Sequence, residues 1–332
     1  MIDIDFTYYR KIADDIWTGR NDGDAPEVQR WHQRIGPVDL KIQEIPFLPG
    51  MQKGIALIGF ACDEGVRRNG GRVGAKDGPL SFRKVSGNLP VHFEENLIFI
   101  DLGDVVCEDG NMEAAQQVLG KLVGYAICSG YRPMVIGGGH EVAYGHYNGI
   151  KQSVKENDRI GIINFDAHFD LREKAGNGFN SGTGFLQIAN DCKVADAEFR
   201  YLPIGIQRNS NTRMLFQKAE GLGVNCILAE KFQPLNEKEL MLQLDEFLAG
   251  STHIYLTICM DVFSSAVAPG VSAAAYSGIF PDPFFFGVLN YIVKSGKLMS
   301  MDIAELNPVY DLEARTAKLT AALAFGMVGG AD

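Results

Sequence analysis

Ile160-Gly161-Ile162-Ile163-Asn164-Phe165-Asp166-Ala167-His168-Phe169-Asp170 is the stretch from which the fold can be read. Its first six residues form a nearly unbroken apolar run. Such a run is a strand covered on both faces, as in a parallel sheet sandwiched between helices. Directly after it come Asp166, His168 and Asp170, spaced i, i+2 and i+4, so that on extended backbone they point to one side. Carboxylate and imidazole together suit divalent metals such as manganese. Taken alone, the same residues also suit a helix N-cap aspartate beside a hydrogen-bonded histidine.

Outward from this run, short apolar stretches alternate with amphipathic ones. Strands are predicted at 54–60, 97–102, 133–136, 160–165, 201–206, 225–228, 253–259 and 297–301, and helices at 112–129, 142–155, 211–222, 237–248, 283–294 and 312–328. This alternation predicts an α/β fold: a parallel sheet of about eight strands with helices on both faces and right-handed crossovers. The chain of 332 residues is read as one domain, with 1–53 an irregular N-terminal extension that wraps the core edge or joins a subunit contact. A formal net charge of −10 gives no reason to expect nucleic-acid or anionic-lipid binding. The acidic, aromatic N-terminus lacks signal-peptide features, and no apolar run reaches membrane-span length. The six cysteines are scattered without C-x-x-C spacing, which fits reduced thiols in a cytoplasmic protein.

The polar clusters fall after predicted strands. Gly137-Gly138-Gly139-His140 follows one, Asp166 a second, Cys259-Met260-Asp261 a third, and Asp302-Ile303-Ala304-Glu305-Leu306-Asn307-Pro308 a fourth. In open α/β sheets ligands bind beyond the carboxyl ends of the strands, so four strands would deliver these groups to one edge. Each cluster is a weak signal; their joint occurrence in this order is a strong one.

With these four pieces the chain resembles the arginase/agmatinase ureohydrolases, whose motifs match at Gly137–His140, Asp166–Asp170, 257–270 and 302–308. The resemblance implies a three-layer arginase-like fold and two divalent metal ions, Mn2+ by analogy. One would be held by His140, Asp166, Asp170 and position 259, the other by Asp166, His168, position 259 and Asp261. It also implies a small-molecule substrate and a homo-oligomer. Asp63–Asn69, Gly71–Ala75, Trp17–Asp22 and Gly205–Thr212 resemble the subgroup that hydrolyses formimidoylglutamate in histidine breakdown. The loop Ser181-Gly182-Thr183-Gly184-Phe185 lacks the histidine that arginases carry there. Two substrate carboxylates call for arginine forks, and Arg67, Arg72 and Arg208 are candidates, with Ser181 and Thr183 from the loop. Glu305 would accept hydrogen bonds from the formimidoyl nitrogen, and Asp170 would pass a proton to the leaving amine.

Position 259 departs from the family pattern, being cysteine where a bridging aspartate is expected, and Ser264 and Ser265 replace aspartate and proline. A thiolate is a softer ligand and must first lose a proton. Three readings stand: a binuclear site with Cys259 as ligand, a site with one tight and one loose ion, or a non-catalytic protein on the same fold. A single-metal amidohydrolase using Asp166, His168 and Asp261, and a related agmatinase or guanidino-acid hydrolase, are further alternatives.

Overall fold

The computed structural model describes residues 3–49 and 53–329. Two short strands, β1 (Tyr9–Arg10) and β2 (Ile35–Pro37), and a single helical turn, α1 (Trp31–Arg34), precede the main sheet. Then follow β3 (Gly54–Ala61), α2 (Glu64–Arg68), α3 (Gly78–Ser86), β4 (Ile98–Val106), α4 (Met112–Cys128), β5 (Tyr131–Gly137), α5 (Val142–Ser153), β6 (Ile160–Phe165) and α6 (Gly184–Val194). The chain continues through β7 (Arg200–Ile206), α7 (Arg213–Gly221), β8 (Ile227–Leu228), α8 (Glu237–Ala249), β9 (His253–Cys259), α9 (Pro283–Val293), β10 (Leu298–Ala304) and α10 (Arg315–Gly329). The strands from β3 onward lie in the order β4-β3-β5-β10-β9-β6-β7-β8 and pair in parallel throughout. Among the described residues no helix is long and apolar enough to cross a membrane.

The unbroken apolar runs have a direct structural cause. In β3, Ile55 and Leu57 enter one core while Ala56, Ile58 and Phe60 enter the other; in β6, Ile163 and Phe165 divide from Ile160 and Ile162 in the same way. This is the period-2 alternation of a strand with two buried faces. The first core is closed by α3, α8, α9 and α10, the second by α4, α5, α6 and α7, giving three layers.

The N-terminal residues cover the outer edge of β4. Tyr9 pairs antiparallel with Val105, and Ile35 pairs in parallel with Phe99, so the edge offers few free backbone groups to another chain. A buried ion-pair cluster sits beneath. Arg83 of α3 donates to Asp101 at 2.7 Å and Asp104 at 2.6 Å, and Trp17 Nε1 donates to Asp101 at 2.9 Å.

The elements differ from the sequence reading in places. α3 and α6 were not expected, because Gly78-Pro79 and the Ser181–Gly184 run look like turn residues. The first instead opens a helix, with Pro79 in its first turn, and the second leads into one. β10 runs on to Ala304, carrying the fourth polar cluster onto the strand end. The predicted strand at 225–228 shrinks to two residues. α10 starts three residues late because Glu313 and Ala314 have φ of 52° and 55°, outside the helical region.

Candidate metal centre

β5, β10, β9 and β6 are consecutive neighbours in the sheet, and their carboxyl ends deliver His140, Glu305, Cys259 with Asp261, and Asp166 with His168 and Asp170. His140, Asp166 and Cys259 form one group whose ligand atoms all lie within 4.8 Å of one another; Asp166, His168 and Asp261 form a second. Asp166 belongs to both. His140 Nδ1 lies 2.9 Å from both Asp166 Oδ2 and Asp170 Oδ2, and His168 Nδ1 lies 3.2 Å from Asp261 Oδ2.

The strand ends need unusual backbone to aim these groups. Asp170 has φ 49° and Glu305 φ 68°, a left-handed conformation uncommon for residues other than glycine. Gly138 is required for a different reason: a Cβ there would fall 1.7 Å from the Cys62 carbonyl oxygen. The turn that presents His140 therefore packs directly against the chain leaving β3. Glu305 is held by the His140 N–H at 3.1 Å and by the Ser272 hydroxyl.

A hydrogen-bond relay fixes the tautomer of His140. Thr257 donates its hydroxyl to Asp302 Oδ1 at 2.6 Å, so its oxygen is left to accept from His140 Nε2 at 3.0 Å. Tyr255 donates to Asp302 Oδ2, which also lies 2.7 Å from His146 Nδ1. With Nε2 donating to Thr257, Nδ1 is the ring nitrogen left to face Asp166 and Asp170; a cation there would take the place of the proton those carboxylates favour on Nδ1.

Crowding of buried acids shapes the electrostatics. Burial, followed by the neighbouring Asp166 charge, pushes Asp170 above the usual carboxylate range, and burial with Asp166 does the same to Asp261. Burial and Asp261 push Glu305 up to about 7. Burial opposes protonation of His168, but Asp261 and Asp166 outweigh it and raise the imidazole to about 12. His140 is raised well above its ordinary value in the same way by Asp166 and Asp170. Burial among Asp166, Asp261 and Glu305 raises the Cys259 thiol well above its usual value.

These residues fit a pair of divalent cations. Asp261 Oδ1 is buried without a hydrogen-bond partner, a costly state unless something else satisfies it, and His140 Nδ1 faces two carboxylate oxygens at 2.9 Å without hydrogen-bond geometry to either. The donor set of carboxylate oxygen, imidazole nitrogen and one sulfur is that of a divalent transition metal.

Above this floor opens a cleft of about 290 Å³, lined by Asn69, Arg172, Ser181, Ser272 and Glu305 together with the metal-type residues. A larger cleft of about 580 Å³, beside Lys53, Tyr131 and Arg132, brings no such cluster of acids and imidazoles together. The arginines chosen from sequence do not line the metal-site cleft. Arg67 bonds Glu64 at 2.6 Å, its side chain 64% exposed, and Arg208 lies 3.6 Å from Glu230. Arg72 donates to the carbonyls of Val271 and Ser272 and lies over the Tyr310 ring. Thr183 spends its hydroxyl inside its own loop, donating to the Asn180 carbonyl and accepting from Asn180 N–H and Gln187. Ser181 does line the cleft and accepts from Asn69 at 3.1 Å. Sequence reasoning passed over Arg172, although it stands two residues beyond Asp170.

The chain belongs to the arginase family, whose model matches residues 53–329. A formimidoylglutamase from Chromobacterium violaceum is 44% identical over 313 residues, covering 94% of this chain and 96% of that one. A formimidoylglutamase from Clostridium tetani is 40% identical over 324 residues, covering 96% and 95% respectively. The crystal structure of Trypanosoma cruzi formiminoglutamase with Mn2+ matches with a TM-score of 0.74 at 27% identity, over 83% of this chain and 92% of that one. An arginase from Bacillus subtilis shares the fold at 21% identity, with a TM-score of 0.71 over 83% of this chain and 98% of that one.

Proposed function

We propose that the protein hydrolyses N-formimidoyl-L-glutamate to L-glutamate and formamide, a step of histidine degradation, using two Mn2+ ions. The observation that carries this is the 40–44% identity, over nearly the whole chain, to formimidoylglutamases. His140, Asp166, Asp170 and Cys259 would hold one ion, and Asp166, His168, Cys259 and Asp261 the other. When bound, such a pair lowers the pKa of water enough to supply a nucleophile at neutral pH and offsets charge developing at the attacked carbon.

The chain's own residues do the rest. Glu305, buried and held by Ser272 and the His140 N–H, accepts a hydrogen bond from the cationic formimidoyl nitrogen and orients the carbon over the site. The cation favours the ionised form of Glu305, which otherwise titrates near neutrality. Water adds to the formimidoyl carbon, and the bond from that carbon to the glutamate nitrogen breaks. Asp170 carries the water-derived proton to the leaving nitrogen, a task suited to a carboxyl held above its usual range.

The non-catalytic alternative raised by Cys259 is not favoured: the six proposed ligand side chains lie together at one strand edge, and Asp166, Asp261 and Glu305 are buried beside one another there. The protein is further read as cytoplasmic and homo-oligomeric. Unpaired cysteines support the first, and exposed Tyr276 and Phe280, beyond β9, support the second. Size-exclusion chromatography with light scattering reads the oligomeric state. The activity is tested by following formamide release from formimidoylglutamate, with agmatine, arginine and guanidinobutyrate as competitors. Comparable agmatine turnover would overturn the substrate assignment, and metal analysis of reduced protein separates the binuclear from the single-metal reading.

A further inference from the structure

We infer that Arg172 grips a carboxylate of the substrate and is the residue that makes this cleft selective for acidic amidines. The inference rests on the proposed reaction and deepens it. Arg172 lines the metal-site cleft and is solvent-exposed at its rim, whereas Asp166, Asp261 and Glu305 are buried in the floor. Its guanidinium makes no hydrogen bond or ion pair with any described residue, in contrast to the other arginines near the cleft. Arg67 and Arg68 are paired with Glu64, Arg68 also with Glu113, and Arg72 with backbone carbonyls.

The position is built. The Arg172 N–H donates to the Gly182 carbonyl at 2.9 Å. Its side chain then passes over Gly182, where a Cβ would fall 2.9 Å from Arg172 Cδ and 3.3 Å from Nε. Glycine at that position leaves room for the arginine stem. Asn69 stands beside the same spot, 3.4 Å from that Cβ position, and is itself held to Ser181.

Charge decides what such an arginine is for. Asp166, Asp170 and Asp261 would be offset by the ions they hold, which leaves Glu305 as the buried acid of the floor that receives the cationic end of a ligand. A planar fork at the rim provides the complementary contact for a carboxylate, bidentate where geometry allows. A substrate with a cation at one end and a carboxylate at the other is then bound head down, and an amidine with no carboxylate lacks one of its two anchors.

The test uses full-length, Mn2+-loaded enzyme. Arg172→Ala should raise KM for formimidoylglutamate about 10-fold or more, the loss expected for one charged hydrogen-bonding partner, while kcat falls much less and metal content is unchanged. Arg172→Lys, which keeps the charge and loses the fork, should fall between the two. Turnover of N-formimidoyl-propylamine, which has no carboxylate, should be the same in parent and Arg172→Ala. Binding of glutarate, measured by calorimetry, should be weakened about 10-fold or more in Arg172→Ala. Parental KM and parental glutarate affinity in Arg172→Ala would overturn the assignment. If the parent fails to hydrolyse formimidoylglutamate, the proposed reaction falls, and the glutarate measurement still decides whether Arg172 binds carboxylate.

Discussion

Replacing Thr257 by valine removes a hydroxyl from the middle of the relay that orients His140, at nearly constant volume. Two hydrogen bonds are lost, to His140 Nε2 at 3.0 Å and to Asp302 at 2.6 Å. Asp302 keeps its contacts to Tyr255 and His146 through the other oxygen, so the valine leaves one oxygen and one ring nitrogen buried without partners. Leaving such groups unsatisfied costs about 1–3 kcal/mol each. Part of this cost is expressed at the metal site, because His140 no longer has a reason to prefer the tautomer that frees Nδ1. Loss of such an outer partner lowers metal affinity or activity roughly 10- to 100-fold, equivalent to about 1.4–2.7 kcal/mol. The assay is Mn2+ titration of apoprotein, followed by calorimetry and by activity at saturating metal. Thr257→Ser, which restores the hydroxyl, should recover most of the affinity. If Thr257→Val binds Mn2+ within twofold of the parent, the relay does not set the orientation of His140 and the tautomer argument is wrong.

Further expectations concern the other unusual residues. Cys259→Asp should bind Mn2+ more tightly at neutral pH, and its affinity should rise less steeply with pH than the parent's, because the parent thiol, raised by burial, must lose a proton on binding; equal slopes in both forms would count against Cys259 as a ligand. Cys259→Ala should lose the weaker ion, read by metal analysis after gel filtration, and two retained ions with full activity would make Cys259 a bystander. Glu141 accepts from the Gly65 N–H at 2.8 Å, and burial with the Glu305 charge pushes it up to about 8. The native state thus keeps a proton that the unfolded chain releases above about pH 4.3, so stability is lost as pH rises through that window. Glu141→Gln should shrink the difference in urea midpoint between about pH 5 and about pH 8, and an unchanged difference would refute the assignment. Arg83→Met strands Asp101 and Asp104 in the interior and should cost about 3–5 kcal/mol in denaturant unfolding.

The layered fold was legible because buried parallel strands write themselves as apolar runs, and 160–165 and 253–259 were placed to the residue. The clusters at the strand ends were legible for the same reason, since the chain leaves each strand where the apolar run stops. α3 was hidden because Gly78-Pro79 at its start reads as a turn and because Arg83 on its inner face is buried against Asp101 and Asp104 of β4, partners that lie some twenty residues away. Arg67, Arg72 and Arg208 lie off the metal-site cleft, paired elsewhere, and were misjudged because residue type reveals charge and says nothing of the partner. One clue was available: Glu64 stands three and four residues before Arg67 and Arg68, the spacing of helical ion pairs. Arg172 carried no such clue, because its place beside the cleft depends on the loop folding back over Gly182.

β10 is the last strand of the chain, yet it lies between β5 and β9 near the middle of the sheet. A ribosome has therefore delivered some three hundred residues before the central strand becomes available. Until then β5 and β9 each present an unpaired parallel edge, flanked on both faces by apolar side chains. His140 and Asp261 cannot be fixed in relation to each other before β10 fills that gap, so the ion site is completed late in synthesis. A chain truncated before Leu298 should seek a foreign strand for the gap, and β10 supplied as a separate peptide is the natural candidate to fill it.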